Sequence, residues 1–252
     1  MEVLLFFFAF LKLSSSILIN CEFKNDYIHE WSLRYSCQTK KIVIKSDDEK
    51  IKAIAGDHLK EMTRENVTQY FARGLNIEKF PQGLVEFFVN LEVVRITSCN
   101  MIYLLKEDME NLDKLKFLDL VGNKIEKLNS NVFENIPNIV EVILNNNRLK
   151  FIGSEILKPL GKLKIISFGG NVCIQSFAKH SEEQLKRLKS DIVLKCSDIT
   201  MADLMKRFGD LEDKMVEVLK KLDYGKTKKR YDDDFVVREG NFVVKLNNNM
   251  RN

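Results

Sequence analysis

Leu115-Lys116-Phe117-Leu118-Asp119-Leu120-Val121-Gly122-Asn123-Lys124-Ile125 is followed 24 residues later by Ile139-Val140-Glu141-Val142-Ile143-Leu144-Asn145-Asn146-Asn147-Arg148-Leu149. In this alignment Leu115, Leu118, Leu120, Asn123 and Ile125 fall on Ile139, Val142, Leu144, Asn147 and Leu149. The two lines then continue as Leu128, Phe133, Ile136 and as Ile152, Leu157, Leu160. Downstream, a third line at the same offset starts Leu163, Ile166, Phe168, Asn171 and stops at Cys173. Upstream, Leu91, Val94, Ile96, Cys99, Met101, Leu104, Met109 and Leu112 fit without a gap. A weaker line precedes them: Val67, Tyr70, Ala72, Leu75, Ile77, Phe80, Val85 and Phe88. Units that recur at a fixed period cannot bury their apolar sides alone, so they stack.

The columns spell L-x-x-L-x-L-x-x-N/C-x-L, and from Val67 to Cys173 the sequence resembles the leucine-rich-repeat family. The resemblance implies an α/β leucine-rich-repeat solenoid with 24-residue repeats, a parallel concave sheet, disulfide caps and a C-terminal helical tail. In each unit a short strand is followed by an asparagine turn and a looser return. The carboxamides of Asn123, Asn147 and Asn171 can both donate to and accept from backbone groups that would otherwise be buried unsatisfied. Cys99, in the same column, reads as a reduced and buried substitute.

Composition is that of an ordinary globular protein. The 252 residues are 45% hydrophobic and 30% charged, and 40 basic against 36 acidic residues leave +4. No global field therefore draws the chain to nucleic acid. Residues 1–16 read as a signal peptide, apolar but too short to span a bilayer and ending in Ser14-Ser15-Ser16. No later stretch approaches the ~20 apolar residues of a membrane helix. The expectation is a secreted, extracellular chain whose cysteines can form disulfides.

A solenoid exposes its core at both ends, so terminal units must close it. Of five cysteines, Cys21 and Cys37 lie in the expected N-terminal cap, 17–66, which includes a degenerate first repeat. Cys173 and Cys196 bound the C-terminal cap, 173–196, after repeats at 67–172. The pairing expected is Cys21 with Cys37 and Cys173 with Cys196, leaving Cys99 free. Within the second cap, Ser181 with Gln184 forms a capping-box pattern, and Leu185, Leu188 and Ile192 a helical stripe. This segment is similar to the C-terminal flanking cap of extracellular leucine-rich-repeat proteins. In the first cap, Ile42-Val43-Ile44 reads as a strand and Ile51, Ala53 and Ile54 as an apolar patch. Asn66-Val67-Thr68 is a glycosylation sequon, making Asn66 the expected attachment site.

Over 197–225, Met201, Leu204, Phe208, Leu211, Met215, Val218 and Leu222 alternate three and four apart. The stripe resembles the C-terminal coiled coils through which insect immune leucine-rich-repeat proteins pair. It suits homo- or hetero-dimerisation through 201–222, or packing on the chain's own solenoid. Over 226–252, Lys226-Thr227-Lys228-Lys229-Arg230 reads as a solvated linker or a processing site, and Phe235-Val236-Val237 with Phe242-Val243-Val244 as a hairpin.

Strand residues pointing away from the core form two columns. One runs Gln69, Val93, Phe117, Glu141, Ile165 and the other Phe71, Arg95, Asp119, Ile143, Ser167. Exposed Val93, Phe117, Ile143 and Ile165, rimmed by Arg95, Asp119 and Glu141, would be a patch suited to a protein ligand; the alternative is that the tail covers it. Catalysis finds no support, because His29, His58 and His180 lie in no nucleophile or metal-ligand motif and no phosphate loop is present. No cofactor or metal is expected. The reading is a non-enzymatic binding protein, with an extracellular assembly protein as the alternative.

Overall fold

The computed structural model describes residues 17–28, 31–45, 50–197, 208–215, 235–239 and 242–246. The chain divides into two compact units, Met1–Ile199 and Thr200–Asn252. The signal-peptide reading of 1–16 lies outside the described residues. In chain order the first unit holds β1 (Ile17–Ile28), β2 (Trp31–Lys41), β3 (Val43–Ile44), β4 (Ile51–Ala55), β5 (Gln69–Arg73), β6 (Asn76–Ile77) and α1 (Leu84–Phe87). It continues with β7 (Val93–Thr97), β8 (Phe117–Asp119), β9 (Lys127–Leu128), β10 (Glu141–Ile143), β11 (Phe151–Ile152), β12 (Ile165–Ser167), β13 (Phe177–Lys179) and α2 (Glu182–Asp191). The main sheet has nine strands in the order β13-β12-β10-β8-β7-β5-β2-β1-β4.

The pairing register reproduces the sequence period. Gln69 lies opposite Val93, Val93 opposite Phe117, Phe117 opposite Glu141 and Glu141 opposite Ile165, all in parallel pairs. One 24-residue step in sequence is therefore one strand step in space, so each column becomes a buried row. Tyr70, Val94, Leu118, Val142 and Ile166 are buried in one core together with Ala72, Ile96, Leu120, Leu144 and Phe168. This arrangement fits a leucine-rich-repeat solenoid.

The asparagine column ties each turn to the one before it. Asn147 Nδ2 donates to Leu120 O at 2.9 Å and Leu144 O at 3.0 Å, while Oδ1 accepts from Ile125 N at 3.2 Å. Asn171 repeats the pattern with Leu144 O, Phe168 O and Leu149 N. Asn123 does the same with Ile96 O, Leu120 O and Met101 N, and also accepts from Cys99 N at 3.0 Å. Cys99 itself is fully buried, unbridged, and donates its Sγ–H to Thr97 O. Burial pushes its thiol upward, which keeps it protonated and unreactive.

Both disulfides join the residues expected, Cys21 to Cys37 and Cys173 to Cys196. At the C-terminal end Ser181 Oγ accepts from Gln184 N at 3.2 Å and caps α2. The reciprocal half of the capping box is absent: Gln184 Oε1 instead accepts from Lys179 N. It serves the outer strand of the sheet in place of its own helix. Leu188 and Ile192 are buried against the last repeat.

In the N-terminal cap the offset is no longer 24: Ser36–Gln38 and Val43–Ile44 lie parallel to Gln69–Phe71 and Asn76–Ile77, each displaced by 33 residues in sequence. Val43–Ile44 pairs with Asn76–Ile77 in a separate two-stranded sheet, and the Ile51 to Ile54 patch returns as β4, parallel to β1 and outside it. Gly56, at φ +132°, makes the crossing possible, because a Cβ there would fall 2.1 Å from the Cys21 carbonyl oxygen. His58 then stacks on Phe23 with ring centroids 3.9 Å apart, its Nδ1 3.0 Å from Tyr35 Oη. Tyr35 Oη also accepts from Leu59 N, so its own proton is available to a neutral His58. Burial, and secondarily Arg64, holds the His58 pKa below the ordinary 6.5. The unfolded chain then binds the proton more readily. Stability contributed by neutral His58 is present above pH 6.5 and falls as the pH drops through that value towards the lower folded pKa. Thermal unfolding at about pH 5 and about pH 8 should show a larger acid destabilisation for wild type than for His58→Gln. Equal losses would remove His58 from the cap's acid response.

In the second unit, residues 208–215 are helical, with Phe208 and Leu211 66% and 61% exposed. β14 (Phe235–Glu239) and β15 (Phe242–Leu246) form an antiparallel hairpin whose register places Glu239 opposite Phe242. Most of the 201–222 stripe and all of the 226–230 basic run lie outside the described residues. Among the described residues no helix is long and apolar enough to cross a membrane.

Candidate protein-binding face

The sheet face turned from the core is longer than the sequence columns suggested. Through the registers of β1, β2 and β5, one column begins at Lys24 and Ser36 before Gln69, Val93, Phe117, Glu141 and Ile165, and ends at Lys179. The other begins at Glu22 and Gln38 before Phe71, Arg95, Asp119, Ile143 and Ser167, and ends at Phe177. Sequence reasoning missed both extensions. The cap strands do not share the 24-residue period, and β13 runs antiparallel to β12, so no column offset could have reached Phe177.

The central apolar residues are not exposed as expected. Val93 is fully buried, Phe117 is 6% exposed, and the two pack with Ile143 into a small cluster separate from the main core. Parallel strands place these side chains side by side, and apolar neighbours cover one another. Asp119 is also buried, held by Arg95 Nε at 3.3 Å, and the Arg95 guanidinium lies 4.7 Å from the Phe71 ring centroid. Phe71, Arg95, Glu141, Ile143 and Ile165 are half-buried. Phe177, at the C-terminal end, is 58% exposed.

The N-terminal half of the face is polar and extensively hydrogen-bonded within itself, although Gln69 Oε1 and Arg34 Nε are buried without a partner. Asp26 Oδ2 accepts from Gln38 Nε2 at 3.2 Å and Gln69 Nε2 at 3.0 Å. At the strand entries Arg34 pairs with Glu92, which also accepts from Lys116 Nζ at 2.6 Å. Burial raises the Glu92 pKa, but the hydrogen bonds from Lys116 and Arg34 outweigh it and hold the carboxyl below its usual value. Ile143, Ile165 and Phe177 thus gather at the β10-β12-β13 end, while half-buried Phe71 lies apart on β5 beneath Arg95.

Other concavities offer less. A cleft of about 150 Å³ is bordered by Glu86, Glu107, Asp108 and Glu110, but its buried carboxylate, Asp108, already accepts from Leu105 N and Gln82 Nε2. Among the described residues no group of three His, Cys, Asp or Glu is placed to hold a metal ion.

No known protein-family model matches the chain. Among solved structures, a chain of the Toll–Spatzle complex, a hub in Drosophila development and innate immunity, is 20% identical with a TM-score of 0.42. That alignment covers 44% of this chain and 15% of the other. A second structure of the same complex gives 18% identity, a TM-score of 0.42 and coverage of 50% and 18%. The leucine-rich-repeat ectodomain of the Arabidopsis thaliana receptor kinase SOBIR1 gives 16% identity, a TM-score of 0.35 and coverage of 61% and 79%. The chain thus spans less than a fifth of the length of the Toll–Spatzle chains it matches.

Proposed function

We propose that this chain is a secreted, non-enzymatic leucine-rich-repeat protein that captures a protein ligand on the sheet face turned from its core, in a role akin to extracellular or immune recognition. The observation that supports this reading most is Phe177, exposed at the end of a column that also holds half-buried Ile143, with half-buried Ile165 in the adjacent column. Large apolar and aromatic side chains that stay accessible beside a polar rim are the usual anchors of protein interfaces. The chain's two disulfides suit an oxidising compartment.

The site proposed from Phe71, Val93, Arg95, Phe117, Asp119, Glu141, Ile143 and Ile165 is accordingly centred on its C-terminal end, with Val93 and Phe117 as a buried support. Phe177→Asp should abolish capture of the partner from the extracellular fluid of the source organism, with an unchanged melting curve. Phe117→Asp should lower stability as well, because it places a charge in the small buried cluster. Full capture by Phe177→Asp would remove this face as the binding site.

Asn66 is proposed to carry a glycan. It is exposed in the turn Arg64–Asn66, and its Oδ1 accepts from Thr63 N, which leaves the attachment atom Nδ2 outside that bond. A second reading, self-assembly through 201–222, is favoured by the exposure of Phe208 and Leu211 on 208–215.

A further inference from the structure

β1 is 12 residues long, but β4 pairs only with Ile17 to Asn20. After Gly56 the chain leaves the sheet edge and crosses to the buried side, where His58 covers Phe23. Among the described residues, β2 is the sole strand paired with Glu22–Ile28, so the opposite edge of this stretch, about 23 Å long, presents an unpaired backbone ladder. A long flat edge is a template for another strand unless the protein blunts it. This one has no proline and no bulge between Glu22 and Tyr27.

The residue order says which strand fits. Antiparallel pairing of Glu22-Phe23-Lys24-Asn25-Asp26-Tyr27-Ile28 with a second copy, about a twofold axis at Asn25, sets Lys24 opposite Asp26 twice and Phe23 opposite Tyr27 twice. Centring on Lys24 would oppose Glu22 to Asp26, and parallel in-register pairing would oppose every charge to its like. Opposite charges and aromatic pairs across strands are favourable, and like charges unfavourable. Of the four residues, Phe23 is buried beneath His58 and Lys24 Nζ lies 3.6 Å from Glu22, so the accessible part of the match is the Lys24–Asp26 pair and Tyr27. Tyr27 is 78% exposed, Lys24 is 42% exposed, and Asp26 uses Oδ2 for both of its internal bonds. We propose that the free edge of β1, residues 22–28, is a self-complementary interface through which two copies of this chain pair antiparallel into a continuous sheet. Such a twofold contact is isologous and closes on itself, so it yields dimers and not fibres. It lies at the opposite end of the sheet from Phe177 and is independent of the ligand reading above.

Sedimentation of the full chain at micromolar concentration tests this. Wild type should be dimeric. Lys24→Asp and Asp26→Lys should each weaken the dimer roughly tenfold or more, because each variant opposes like charges at two symmetric places. Mixing the two variants should restore a dimer, since each copy then supplies the charge the other lacks. Because Asp26 also holds Gln38 and Gln69, amide hydrogen exchange provides a check without substitution. Protection of Glu22–Ile28 in wild type should rise with protein concentration. A monomeric wild type, protection independent of concentration, or failure of the mixture to associate would overturn the proposal. So would a dimer lost in Leu211→Glu, which would place pairing in the 208–215 helix.

Discussion

Asn123→Ala should lower unfolding stability by about 2–4 kcal/mol and cost more than any other substitution in its column. Four buried backbone groups lose a partner at once: Cys99 N, Met101 N, Ile96 O and Leu120 O. Alanine leaves Cys99 N and Met101 N without the partner Asn123 supplied, while Leu120 O keeps its bond from Asn147 Nδ2, and an unmade buried hydrogen bond costs more than a made one contributes. Asn147→Ala strips Ile125 N, Leu120 O and Leu144 O, and should cost about 1–3 kcal/mol. The order, more than the absolute size, is the test. Asn123 accepts from Cys99 N because Cys99 stands where an asparagine would otherwise close the preceding turn. Chemical denaturation of both variants with unchanged m-values would read the difference directly. Equal melting curves for Asn123→Ala and wild type would mean that the carboxamide ladder does not hold the stack together.

Removing the second bridge should cost about as much. Cys173 and Cys196 are separated by 23 residues in sequence, and closing a loop of that length stabilises by about 3 kcal/mol on the chain-entropy estimate. The Cys173→Ser/Cys196→Ser double variant should lose that amount, and the loss should be local. α2 and the turn that follows it cover the end of the core through Leu188 and Ile192, and α2 meets β13 through Gln184. Without the bridge the cap can open while the inner repeats stay stacked, since each contacts only its neighbours. Hydrogen exchange should therefore accelerate in β12, β13 and α2 first. Uniform acceleration across β5 to β10 would show that the cap is no separate closing unit.

Much of this molecule is written in residue types at a fixed spacing. The buried rows, the asparagine ladder and the place of Cys99 each follow from one unit that must bury the same face against the next. Less was legible at the caps. The Ile51 to Ile54 patch is visible as apolar, yet its place outside β1 depends on a chain crossing that Gly56 permits. The capping-box pattern at Ser181 and Gln184 is real in half, because Lys179 N at the sheet edge offered the glutamine a better-placed donor.

The period, the direction of each strand residue and the identity of the residues that fill the core are legible in residue types alone, because burial in a stacked repeat is decided locally and recurs. Which outward residues remain accessible depends instead on how the strands and caps pack together. Val93 and Phe117 point away from the core as their columns require, but adjacent strands enclose them. Phe177 is exposed because an antiparallel return sets it at the sheet's end. Exposure and edge pairing depend on neighbours distant in sequence, and at the caps those neighbours follow no period.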